Sequence, residues 1–67
     1  MKITLKSEYI KLSQFLKLIK AVDTGGQTVF FLQKNEVTIN GNKPEGKSSK
    51  IRQGDIVWVN DKAYLIE

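Results

Sequence analysis

Sixty-seven residues with no cysteine, no histidine and a formal charge of +4 set narrow limits on what this chain can be. A domain of this size buries only about 60% of its unfolded surface, which leaves little room for a deep substrate cavity and favours a binding module. Without Cys or His there is no disulfide frame and no common zinc or iron ligand set; the longest apolar runs, "VFFL" and "IVWV", fall far below the roughly 20 residues that cross a bilayer, so a soluble, cytoplasmic protein is expected.

The chain opens with "MKITLK", where Ile3 and Leu5 alternate with Lys2, Thr4 and Lys6, the period of a half-buried strand. Leu12, Phe15, Leu16 and Ile19 then recur at helical spacing, with Leu18 and Val22 widening the stripe, and predict an amphipathic helix over 12–22 with Gln14, Lys17 and Lys20 outside. Ser13 or an earlier polar residue is its candidate cap, and the helix should stop at "DTGG", where Asp23 or Thr24 can cap a following one. The stretch "GQTVFFLQKN" has two readings. Thr28, Val29, Phe30 and Phe31 favour a strand by propensity, whereas Thr24 as cap and Asn35 as a left-handed terminator suit a short helix. "EVTING" is clearer: Val37 and Ile39 point inward, Thr38 outward, and Asn40-Gly41 is a strong tight-turn signal. After the loop "NKPEGKSSK" and a turn at Gly54-Asp55, "IVWV" and "AYLI", joined by "NDK", predict a hairpin. With no repeat or linker, residues 1–67 read as one α+β domain.

The positive charge is clustered. Lys2, Lys6, Lys11, Lys17 and Lys20 face only Glu8 in the first part, and Lys43, Lys47, Lys50 and Arg52 face only Glu45 in the loop region. Such clusters suit a polyanion, attracted through its phosphates, or simply a solvated basic surface; charge alone does not separate the two. The loop also contains "GNKPEGKS", which satisfies the spacing of a nucleotide-binding phosphate loop at Gly41, Gly46, Lys47 and Ser48. A working phosphate loop needs a helix directly after it within a parallel sheet, and "SSKIRQGD" has no helical apolar stripe. No nucleotide cofactor is expected, and Lys47 is kept as a phosphate contact of another kind.

In the middle of the chain these features resemble the S-four-type RNA-binding domain, a module named after a protein of the small ribosomal subunit and also found in pseudouridine synthases and tyrosyl-tRNA synthetases. Its signature is two packed helices followed by G-x-V-x-V-N-G. Leu12, Phe15 and Leu16 resemble its first-helix core, Thr24 stands where serine often opens the second helix, and Phe31-Leu32 resembles its apolar pair. "NEVTING" matches the signature with Asn35 in the glycine position, and "SKIRQGDIVWV" resembles the closing strand around Gly54 and Asp55. "LSQFLK" and Gly25-Gly26 add a likeness to the small stand-alone bacterial members. The resemblance implies two packed N-terminal helices, with Gly26 to Lys34 helical, against a small, mainly antiparallel, twisted sheet. It also implies an RNA-binding surface built from helices and the neighbouring turn. Where the family commonly carries basic residues in the second helix, this chain has Gly25 and Val29, so two phosphate contacts are missing.

On that resemblance, Lys11, Lys17, Lys20 and Lys34 are candidates for the helix side of an RNA surface, and Lys43, Lys47, Lys50 and Arg52 for the loop side. Lysine acts there as a mobile point charge, and arginine as a bidentate fork. If the second segment is a helix, Phe30 points away from Thr28, Phe31 and Leu32, and an exposed aromatic there is a candidate base-stacking residue. Tyr9, Trp58 and Tyr64 have similar stacking potential, but as aromatics in short alternating strands they are expected in the core. The acids form no recognisable catalytic pair, and no His or Cys offers a base or nucleophile. The expected function is therefore non-catalytic binding of structured RNA, ribosomal or transfer RNA, in ribosome assembly or translation. A protein-docking patch at Val29 and Phe30 is the alternative, and double-stranded DNA binding is not separated from RNA by charge alone.

Overall fold

The computed structural model describes residues 1–67. "MKITLK" forms a short edge strand, β1 (Lys2–Ile3), parallel to the last strand with Lys2 opposite Leu65 and Ile3 opposite Ile66. A second short strand follows, β2 (Tyr9–Lys11), and leads directly into helix α1 (Leu12–Leu18). After a 3-10 turn at Gly25–Gln27 come α2 (Thr28–Lys34), β3 (Val37–Ile39), β4 (Lys50–Arg52), β5 (Ile56–Val59) and β6 (Lys62–Ile66). The architecture is α+β, with a mixed four-stranded sheet ordered β1-β6-β5-β3 and a separate antiparallel ribbon of β2 with β4. The helices thus lie behind two strands, because Tyr9–Lys11 finds its partner in Lys50–Arg52, a pairing remote in sequence. No helix is long and apolar enough to cross a membrane.

Helix α1 exists because Leu12, Phe15 and Leu16 form one apolar face, and all three are fully buried. That face packs on the inner side of the sheet, formed by Val37, Val57, Val59, Tyr64 and Ile66, with Ile51 of the ribbon closing the core. Phe15 meets Tyr64 edge to face, ring centroids 5.4 Å apart at 83°, a geometry that places the positive ring edge over a negative ring face.

The helix ends at Leu18, earlier than the expected Val22. Lys20 adopts a left-handed backbone with φ of 63°. The Lys20 N–H donates to the Lys17 carbonyl (3.0 Å) and the Ala21 N–H to the Leu16 carbonyl (2.9 Å), the paired bonds of a Schellman terminus. Val22 is still buried, but the chain delivers it there by turning back rather than by another helical turn. At the other end the cap is not Ser13 but an earlier polar residue, the other expected candidate. The cap residue is Lys11, whose N–H donates to Gln14 Oε1 at 2.9 Å.

The second segment is helical, as the resemblance implied and against its strand propensity. A strand would send Thr28 and Phe31 to opposite faces, whereas the helix turns Thr28, Phe31 and Leu32 together toward the core. Thr24 stands at the start of the 3-10 turn but makes no side-chain cap bond; Gln27 Oε1 instead accepts from the Asp23 N–H at 2.7 Å. Asn35 ends α2 in an extended conformation (φ −133°), not the left-handed one expected. Its side chain does the work of termination: Nδ2 donates to the Phe31 carbonyl (3.1 Å), while Oδ1 accepts from Asn60 Nδ2 (3.1 Å).

Asn40 and Gly41 both have positive φ, 54° and 84°, and Ile39 and Asn42 exchange backbone bonds across them, as in a two-residue type I′ turn. Asn40 then ties this turn to the one at Gly54-Asp55. Its Nδ2 donates to Asp55 Oδ1 (3.0 Å) and its Oδ1 accepts from the Ile56 N–H (2.9 Å). Of the three strand aromatics expected in the core, Tyr64 is buried but Tyr9 and Trp58 are not. Trp58 lies on the outer face of the sheet between Thr38 and Ala63, because Val57 and Val59 take the inner positions of β5.

Candidate nucleic-acid interface

The β2–β4 ribbon places three cations and an aromatic on one face. Its register sets Tyr9 opposite Arg52, Ile10 opposite Ile51 and Lys11 opposite Lys50. Residues directly opposite share a face and successive residues alternate, so burial of Ile51 and partial burial of Ile10 leave Tyr9, Lys11, Lys50 and Arg52 turned outward together. The Lys50 ammonium stands 4.8 Å from the centroid of the Tyr9 ring. Lys11 and Lys50 are like charges in direct opposition, an arrangement that costs the free protein stability. No carboxylate offsets it: the ion pair of the molecule is Lys2 with Glu67, 3.7 Å apart, between chain ends.

The loop continues this surface. Lys43, Lys47, Lys50 and Arg52 border one shallow groove, and Lys43 and Pro44 also border a second, which runs to Lys34 and Asn35 at the end of α2. Sharing of Lys43 and Pro44 makes the two grooves contiguous. On the helix side, Lys11 and Gln14 border a further groove with Tyr9, while Lys17 is exposed on α1 and Lys20 just past its end. The structure therefore brings Lys34, Lys43, Lys47, Lys50, Arg52 and Lys11 into one continuous track, and Lys17 and Lys20 border none of these grooves. Phe30 lines none of them. It is 65% exposed on α2 beside Val29, one helical turn before Lys34.

The same loop shows why "GNKPEGKS" holds no nucleotide in the manner of a phosphate loop. Such a loop must aim its N–H groups at phosphate oxygens and continue into a helix. Here it continues into strand β4, and its carbonyls face a helix: the Leu12 and Ser13 N–H groups donate to the Ser49 and Lys47 carbonyls at 2.8 and 3.0 Å. Those bonds satisfy the free donors at the start of α1 and anchor the loop beside the ribbon. Gly41 belongs to the type I′ turn, and Lys47 is left with its side chain exposed.

Tyr9 is the residue of this surface that the sequence reading put in the core. The available signal was the triplet Tyr9-Ile10-Lys11: once a charged residue shares its parity, the tyrosine faces the same way. The pairing to β4 gives that parity its face: Ile10 and Ile51 turn inward together, so Tyr9 turns out.

A family model described as S4 domain matches residues 3–67. The chain is 36% identical over 57 residues to the probable ribosome maturation protein RlbA of Bacillus subtilis (strain 168), an alignment covering 85% of this chain and 80% of that protein. No solved structure matches the chain.

Proposed function

The chain belongs to the S4 domain family, and from that premise we propose that it is a non-catalytic, cytoplasmic protein that binds structured RNA and acts in ribosome maturation. The observation that carries this reading is the cation track, where cations outnumber the two groove carboxylates, Glu36 and Glu45, and above all Lys11 opposite Lys50 with no acid paired to either. A polyanion relieves that repulsion, and release of its counterions supplies the binding free energy. The maturation role follows from the likeness to the probable ribosome maturation protein of Bacillus subtilis; ribosomal RNA is then the natural ligand, with Lys11, Lys17, Lys20, Lys34, Lys43, Lys47, Lys50 and Arg52 contacting phosphates. Gly25 in the 3-10 turn and Val29 on α2 carry no charge, so the ribbon and loop take over contacts that family members commonly make from the second helix.

The test is a salt titration of binding to ribosomal RNA. Affinity should fall linearly on a logarithmic scale as salt rises, and Lys47→Ala with Lys50→Ala should flatten that slope by about 2, close to 1 per phosphate contact. An affinity unchanged between low and physiological salt refutes the reading. A second reading is favoured by the exposure of Val29 and Phe30, 45% and 65%: a protein partner docks there. Capture of a ribosomal protein that survives nuclease and is lost on Phe30→Lys supports it; loss of capture on nuclease treatment refutes it.

A further inference from the structure

Resting on the RNA reading, we infer that the ribbon is a site for an unpaired nucleotide, whose base stacks on Tyr9 while its flanking phosphates lie on Lys11, Lys50 and Arg52. Base stacking needs an accessible ring face with cations near enough to hold the adjoining backbone. Tyr9 meets both conditions. The residue is 39% exposed, Arg52 is its direct cross-strand partner, and the Lys50 ammonium already rests 4.8 Å from its ring centroid. Trp58 is similarly exposed but has Thr38 and Ala63 across from it, so it lacks the charges that bring a backbone in.

The lysine over the ring does not close the site. An exposed cation–π contact is weaker than a base stacked on an aromatic, and the displaced ammonium gains a charge-assisted bond to phosphate. Lys50 thus acts as a lid that swings from ring to phosphate when a base enters. A phosphate received there also offsets the like charges of Lys11 and Lys50, which stand opposite each other in the free ribbon. A fully paired stem offers no free base face and leaves Tyr9 unused, so the site selects a bulge or loop beside a stem. The backbone under the platform is fixed: Ile51 is fully buried between α1 and the sheet, and the loop leading into β4 is bonded to the start of α1 through Lys47 and Ser49. Tyr9 is in turn positioned by the Ser7 hydroxyl, which donates to its carbonyl at 2.8 Å.

The experiment uses the full chain and two RNA hairpins of identical stem, one carrying a single bulged 2-aminopurine and one fully paired. Wild type should bind the bulged hairpin about tenfold tighter, the size of one base–aromatic stack, and quench the 2-aminopurine fluorescence. Tyr9→Ala should lose both the preference and the quench while keeping its binding to the paired hairpin, and Tyr9→Phe, which retains the ring face, should keep all three. Circular dichroism checks that each variant is folded. If Tyr9→Ala keeps preference and quench, or wild type shows neither while Lys47→Ala with Lys50→Ala weakens both hairpins, the stacking site is overturned and the RNA reading stands. Absence of salt-dependent binding to either hairpin overturns both. Equal displacement of the hairpins by poly-glutamate at matched charge and low concentration overturns the site in favour of an acidic protein partner.

Discussion

Lys20 holds a position where glycine is preferred, and exchanging it separates stability from binding. Its φ of 63° puts a side chain into the left-handed region at the Schellman terminus of α1. For an L-residue that conformation costs about 1–2 kcal/mol, and glycine removes the cost while gaining some freedom in the unfolded chain. Lys20→Gly should therefore stabilise the fold by about 1 kcal/mol, which in a domain of this size raises the melting temperature by roughly 4–8 °C. Lys20→Ala is the control, since it loses the same charge but keeps the Cβ and should show no such rise. Thermal unfolding followed by circular dichroism at constant salt reads the difference. If Lys20 contacts RNA, both variants should lose affinity alike and flatten the salt slope by about 1. Equal melting temperatures for the Gly and Ala variants would refute the backbone account. An unchanged slope in both would remove Lys20 from the RNA surface, and its strained position would then have no binding reason.

Thr28 is fully buried and its hydroxyl has no hydrogen-bond partner. Such a group costs about 1–3 kcal/mol, so the near-isosteric Thr28→Val should leave the fold as stable or raise its stability by about 1 kcal/mol in urea unfolding; a loss of that size would mean the hydroxyl is bonded after all. Asn40 supplies the left-handed first residue of its turn and two side-chain bonds to Asp55 and Ile56. Asn40→Ala should cost about 2 kcal/mol, and Asn40→Gly clearly less, because glycine restores the backbone preference but not the bonds. Equal losses in the two variants would show that φ at this residue contributes nothing.

What could be read without coordinates differs sharply between the two halves of the problem. The face of α1, the Asn40-Gly41 turn and the closing hairpin follow from spacings within a few residues, whereas the phase that exposes Phe30 follows only once the family resemblance makes its segment a helix. The end of α1 did not, because the apolar period continues to Val22 while the chain reverses at Lys20, a residue with no intrinsic mark of a terminator. The candidate cations were legible as charge clusters. Their union was not, since it depends on Tyr9–Lys11 pairing with Lys50–Arg52 and on one proline-containing loop bordering two grooves.

The division has a physical cause. Composition and local period determine what short-range forces decide: which residues form one helix face, which turns need a left-handed residue, that a domain without Cys or His must be held by its apolar core, and a basic surface. They also carry enough pattern to point to the family before any coordinates. The outward turn of Tyr9 and Trp58, the carbonyl contacts that take the apparent phosphate loop out of nucleotide chemistry, and the confrontation of Lys11 with Lys50 were decided by tertiary structure. Each depends on which partner a strand or loop meets across the fold, and a strand of three residues has too little pattern of its own to name that partner.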